Sequence, residues 1–202
     1  MPRLNRKQTA RRISPKREYQ EVNRIRAGFE RTLSFRFIKL LSDIGSDTAK
    51  AFEQNGTQGA LGVLDSIRPR VGATLEPVYK EIIKLFSDRA IANRGVTKAN
   101  KGYEEIYDSF MTSMGGAHIT DISDTTRRQV LNVIRDNQDK GVAAISKAIT
   151  ERMSPRFTRA RASTIARTET HSAASFSTHE QYKAFNEPTM MKRWAANNDD
   201  RT

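Results

Sequence analysis

Residues 22–44 read VNRIRAGFERTLSFRFIKLLSDI. Their apolar positions Val22, Ile25, Phe29, Leu33, Phe37, Leu40 and Ile44 recur every three or four residues. A 3.6-residue period alone gathers all of them on one side, so the stretch predicts an amphipathic helix of about six turns. Ser14-Pro15 lies ahead of it. Serine caps the free amide groups of a first turn, and proline suits the first helical position. Phe35, Ile38, Leu41 and Phe52 widen the stripe toward its C-terminal half, and Asn55-Gly56 ends it. One helix over 16–54 spans on the order of 55 Å; Gly45 and Ser46 offer a place to divide it.

Outward from this helix the pattern stays helical. Residues 57–67, with Gly59 and Gly62, read as a turn or a short weak helix. Arg68-Pro69-Arg70 and Glu76-Pro77 read as breaks, followed by a helix over 78–92 that Gly95 closes. Tyr103, Ile106, Tyr107, Phe110, Met111 and Met114 form the cleanest amphipathic face in the chain, with Gly115-Gly116 as its stop. Ser123 or Asp124 caps a helix carrying Val130, Leu131 and Ile134. Lys140-Gly141 turns the chain into a short helix with Val142, Ile145, Ile149 and Met153 on one face. Ser154-Pro155 repeats the start signal and opens a long helix to about Phe185. Met190–Ala196, with Met191 and Trp194, reads as the start of a strand. The expected fold is mainly α: an elongated helical region over 18–115, and a smaller helical unit over 123–202 ending in the start of a β-strand.

Charge is distributed unevenly. The 202 residues carry a formal net +12, yet residues 1–40 alone hold 12 Lys/Arg against three Glu, a net of +9. Arg3, Arg6, Lys7, Arg11, Arg12, Lys16 and Arg17 precede the first acid, Glu18. A segment this cationic repels itself and has little to bury, so residues 1–17 are expected to be an arm without structure of its own until a partner orders it. Double-stranded DNA, bound through its phosphates without base reading, is the partner whose charge density fits best. A solubilising tail, or an arm on an acidic protein surface, is the alternative. The absence of cysteine excludes a disulfide scaffold and cysteine-ligated metal in this chain.

Few residues offer chemistry. Glu169 falls on the apolar face that Ala162, Ile165, Ala166, Ala173 and Phe176 define in the last helix. A carboxylate there needs a cation or several donors, because burial unpaired costs several kcal/mol. Arg167 points elsewhere on the helix, so the partner must come from another segment; Arg201 is one candidate. Glu169 is then either a structural tie or an acid/base group, and the structural reading is preferred. Asp199-Asp200 are too few ligands for a metal on their own. His171 and His179 are two turns apart and cannot share an ion unaided; His118 reads as a loop residue. There is no nucleophile elbow, no phosphate-binding glycine loop and no cysteine nucleophile. No enzymatic activity, cofactor or metal is expected.

The order of these residues carries a resemblance. Arg161-Ala162-Ser163-Thr164-Ile165-Ala166-Arg167-Thr168-Glu169-Thr170 is followed by Lys192-Arg193-Trp194 and then by Asp200-Arg201-Thr202. Over about 125–202 this resembles the head morphogenesis, or minor capsid, proteins of tailed phages, the Mu-F-like family. The motif residues are Arg167, Thr168, Glu169, Trp194, Asp200 and Arg201. The family pattern continues with a His and an Asp-Gly past the point where this sequence ends, so an incomplete domain is expected. The resemblance implies a virion component inside the head at the portal vertex, acting in assembly, DNA packaging or retention, or ejection. It implies as partners the ring-shaped portal protein, major capsid or scaffold protein, and other copies of the chain. Phe35, Ile38, Leu41, Tyr103, Tyr107, Phe110, Met111 and Met114 are the faces expected to meet the portal or each other; a plain helical core is the alternative. Two rival classes remain: a stand-alone, non-specific DNA-binding helical protein, and a nuclease or toxin fragment using Glu169 and Asp200.

Overall fold

The computed structural model describes residues 15–94 and 101–184. Every secondary element in them is helical: α1 (Pro15–Asp65), α2 (Ile67–Arg94), α3 (Tyr103–Phe110), a π-helical turn (Met111–Gly115), α4 (Gly116–Arg135), α5 (Val142–Arg152) and α6 (Pro155–Ala184). A long N-terminal helical region and a smaller helical region thus make up the described chain. The expected strand start at Met190–Ala196 and the arm residues Arg3, Arg6, Lys7, Arg11 and Arg12 lie outside the described residues.

Helix α1 begins at Pro15, and its first straight run ends at Asn55 and Gly56 (φ 58°, ψ −147°), where the backbone leaves helical geometry. Positive φ is strained for any side-chain-bearing residue, so glycine is required at that corner. Beyond the corner the chain is helical again to Asp65, where the sequence suggests only a turn or weak helix; Ala60 and Leu64 are buried there and packing stabilises it. Gly45 does not divide α1. It is buried, and a methyl group on it would overlap the Cβ of Met153. The glycine lets α1 approach the α5–α6 corner, where Ser146 also donates to the Ala49 carbonyl of α1 at 3.2 Å.

Of two further breaks expected from sequence, the first falls slightly early, at the Ser66 turn between α1 and α2, and the second is absent. Pro69 sits in the first turn of α2, where a missing N–H costs nothing, and Pro77 lies inside the helix. Ala73, Glu76 and Pro77 are all exposed, so the carbonyl left without its donor faces water. On the opposite side Val71, Leu75, Val78, Tyr79, Ile82, Ile83 and Phe86 are buried, and their packing outweighs the lost hydrogen bond. Gly115-Gly116 likewise fails to stop its helix. The chain passes through the π turn into α4, with Gly115 buried against the Phe110 ring and Met111. Ser123 is therefore no cap: it lies inside α4 and bonds the Ile119 carbonyl at 2.6 Å.

Three helices set the frame. Arg70 pairs with Asp47 at 3.0 Å and Arg89 with Glu21 at 3.0 Å, so α2 runs antiparallel to α1. Tyr79 meets Glu169, and Ser177 donates to the Ile83 carbonyl, so α6 runs parallel to α2. One hydrophobic cluster joins Leu33, Phe37 and Leu41 of α1, Leu75 and Ile82 of α2, Phe110 of α3, Ile119 and Val130 of α4, Ile149 of α5, and Ala162 and Ala173 of α6. At its centre the Phe110 ring stands edge-on to Tyr79 (4.9 Å) and to Phe176 (5.4 Å), geometry in which the positive edge of one ring meets the negative face of the next.

Gly45→Ala is expected to lower stability by about 1–3 kcal/mol through overpacking. Gly28→Ala, where an added Cβ has open space, is expected to raise it by about 0.5–1 kcal/mol through helix propensity. Denaturant unfolding of the two variants measures both; equal effects would contradict the close approach of α1 to Met153.

Candidate functional site

Glu169 is 4% exposed on the inner face of α6. Its Oε2 accepts a hydrogen bond from the Tyr79 hydroxyl of α2 at 2.7 Å and lies within hydrogen-bonding distance, 2.8 Å, of His118 Nδ1 of α4. Tyr79 is wholly buried. Burial, together with the adjacent carboxylate, pushes its hydroxyl far above the ordinary tyrosine range, so it remains a donor. His118 is partly exposed and lies in the first turn of α4, not in a loop. The carboxylate thus ties three helices at one atom.

The partner does come from other segments, as burial demands, but as one hydroxyl and one imidazole. Arg201, the candidate counter-charge, lies outside the described residues, as do Trp194 and Asp200. The motif run divides at its last step: Arg167 and Thr168 are exposed while Glu169 is buried. His171, Ser175 and His179 also face outward. Nothing in the sequence singles out Tyr79, 90 residues from Glu169; a buried carboxylate signals the need for donors, not which ones.

Two other ties join α6 to its neighbours. Arg161 donates to the Ile122 carbonyl (3.1 Å), Thr126 Oγ1 (2.9 Å) and Gln129 Oε1 (2.8 Å), all on α4. Burial lowers the pKa of its guanidinium, which three neutral acceptors hold. At the other end Glu180 pairs with Lys101 at 2.8 Å. The hydrogen bond from Lys101 lowers the Glu180 pKa below the usual carboxylate range and raises that of Lys101. These two residues, with Glu105, Lys183 and Ala184, line an open cavity of about 320 Å³. It lies eleven residues along α6 from Glu169, about 16 Å away along the axis.

The faces expected to meet a partner are used unequally. Leu41 and Phe110 are wholly buried in the core, which corrects their assignment to an outer surface. Ile38, Tyr103, Tyr107, Met111 and Met114 are half-buried, and four of them (all but Tyr103) pack against the core. Phe35 is 71% exposed. Of the arm, only Lys16 and Arg17 fall among the described residues; both are exposed in the first turns of α1. Among the described residues no helix is long and apolar enough to cross a membrane, and no three metal-ligating side chains converge.

Comparison with known protein families, with curated proteins and with solved structures finds no match for this chain.

Glu169→Ala is expected to cost about 3–4 kcal/mol, because it leaves the Tyr79 hydroxyl and His118 without their partner and opens a void. Tyr79→Phe is expected to cost about 1–2 kcal/mol. A double-mutant cycle with Glu169→Ala should give a coupling of about 1 kcal/mol; strict additivity would show that the hydrogen bond contributes nothing to stability. The Lys101–Glu180 pair has its own pH signature. Because the folded-state Glu180 pKa is lowered, its contribution is present above the unfolded value and lost as pH falls through the folded one. Wild type and Glu180→Gln should differ by up to about 1 kcal/mol at neutral pH, and the difference should shrink as pH falls below the ordinary glutamate range. Urea unfolding at several pH values reads this directly.

Proposed function

We propose that this chain is a structural protein of a tailed-phage head, bound at the portal vertex with its basic N-terminal arm directed toward packaged double-stranded DNA. The observation that carries the reading is the order of residues in the Arg161–Thr170 run, Trp194 and Asp200-Arg201-Thr202, in a chain whose first 40 residues hold a net +9. The contacts of Glu169 support a non-enzymatic role. It sits inside the bundle with two polar partners of its own chain, where a catalytic carboxylate would need to face a substrate. Half-buried Tyr103, Tyr107, Met111 and Met114 leave an apolar margin for the portal ring, capsid or scaffold protein, or a second copy.

A second reading is a stand-alone DNA-binding helical protein. The single shared core favours it, since the described helices bury one another without a ring. The two readings separate in the particle. Mature virions of the phage that encodes the chain, analysed by mass spectrometry and by reconstruction of the portal vertex, are expected to contain it in few copies beside the portal. Its absence from virions, with the protein confined to infected-cell extract, would overturn the first reading and favour the second.

A further inference from the structure

The outer face of α1 carries a row of cations. Leu33, Phe37, Leu40, Leu41 and Ile44 define the buried side. At 100° per residue Arg17, Arg24, Arg31, Phe35 and Lys39 fall on the opposite side, with Arg36 about 100° further round, toward the edge of the buried face. All six residues are exposed. Exposed Asp43 lies one turn beyond Lys39 at the end of this row, and the three acids before it are engaged elsewhere. Glu18 accepts from the Asn93 amide, Glu21 pairs with Arg89 of α2, and Glu30 interacts with half-buried Arg26, whose guanidinium lies over the Phe86 ring. Arg31, Arg36 and Lys39 have no ion-pair partner among the described residues. A row like this on a solvated helix repels itself, and a surface needing no partner would intersperse acids among its cations.

We infer that this face is itself a binding surface for the phosphate backbone of duplex DNA, with Arg24, Arg31, Arg36 and Lys39 on phosphates and the Phe35 ring against the sugars between them. The inference rests on the reading that the chain faces DNA, and it moves part of that contact from the arm onto the folded helix. Arg24 to Lys39 covers about 22 Å of helix axis. Duplex DNA presents one negative charge per about 1.7 Å, so phosphates are available along the whole length of the row. Arg17 lies two turns before Arg24, and in the sequence the basic residues of the arm come directly before it. The contacts carry no base information, so binding is independent of sequence. An acidic protein surface would also attract the cations. Duplex DNA is favoured because the row extends along a straight helix and continues a segment with no acid before Glu18.

Salt dependence of binding separates the parts. Full-length protein is titrated with a fluorescent duplex of mixed sequence at several salt concentrations. In Arg24→Gln/Arg31→Gln/Arg36→Gln/Lys39→Gln the slope of log K against log salt should be shallower than wild type by about 3–4. The corresponding lysine replacements at the three arginines should keep the wild-type slope. Phe35→Ala should weaken binding about fivefold with no change in slope, because it removes apolar contact and no charge. Unchanged helical circular dichroism shows that each variant is folded, as expected for exposed positions. A wild-type slope in the fourfold glutamine variant overturns the inference. If Arg3, Arg6, Lys7, Arg11 and Arg12 changed to Gln flatten the slope in the same experiment, the DNA-facing reading survives without the helix face. Wild-type protein that does not bind the duplex, but binds an acidic protein partner, overturns both.

Discussion

One carboxylate oxygen organises this bundle. Glu169 is buried on the inner face of α6, and its Oε2 holds the Tyr79 hydroxyl and the His118 ring. A buried charge is tolerated only where donors are fixed in place, because solvent cannot supply them. Satisfying it fixes the rotation and the axial register of α2 and α4 against α6 together. Beside it the rings of Tyr79, Phe110 and Phe176 pack edge to face. The carboxylate therefore contributes more to the choice of arrangement than to net stability, since its desolvation offsets much of what the hydrogen bonds return.

The polar ties along α6 follow the same logic at intervals. Arg161 binds three acceptors of α4 near one end, Ser177 meets Ser87 and the Ile83 carbonyl of α2 past the middle, and Glu180 meets Lys101 near the other. Between them the buried positions of α6 are small, among them Ala162, Ala166, Ala173 and Ala174. Small side chains let helices approach closely but give little area to hold them. Directional hydrogen bonds specify what such a smooth interface leaves open. Residues from both sides of positions 115–123 enter the same core, and that segment is itself helical throughout.

Outside the core, charge follows a different rule. The acids of the first 25 residues of α1 meet Asn93, Arg89 and Arg26, while Arg24, Arg31, Arg36 and Lys39 are exposed on its outer surface. Packing against α2 thus decides which charges meet a neighbouring helix and which face water, a separation that composition alone does not reveal. Phe35 stands in the middle of that surface, while Phe37, two residues on, is wholly buried. A step of two residues rotates a side chain by about 200° on a helix, so neighbours in a run of aromatics serve opposite faces.

Helix type, the long first run, its corner at Asn55-Gly56 and the inward direction of Glu169 were legible in the sequence, because each depends on local period or on a single residue's conformational freedom. The seven-position stripe from Val22 to Ile44 needs no knowledge of neighbours to be read. What required the tertiary structure was whether a breaker breaks and which residue answers a buried charge. Pro77 and Gly115-Gly116 carry ordinary stop signals, yet a buried face opposite each keeps the chain helical, an energy that arises only when α2, α3, α4 and α6 meet. Tyr79 and His118 come to Glu169 across 90 and 51 residues of chain. Periodicity assigns a side chain to a face; the partner across that face is chosen by three-dimensional packing.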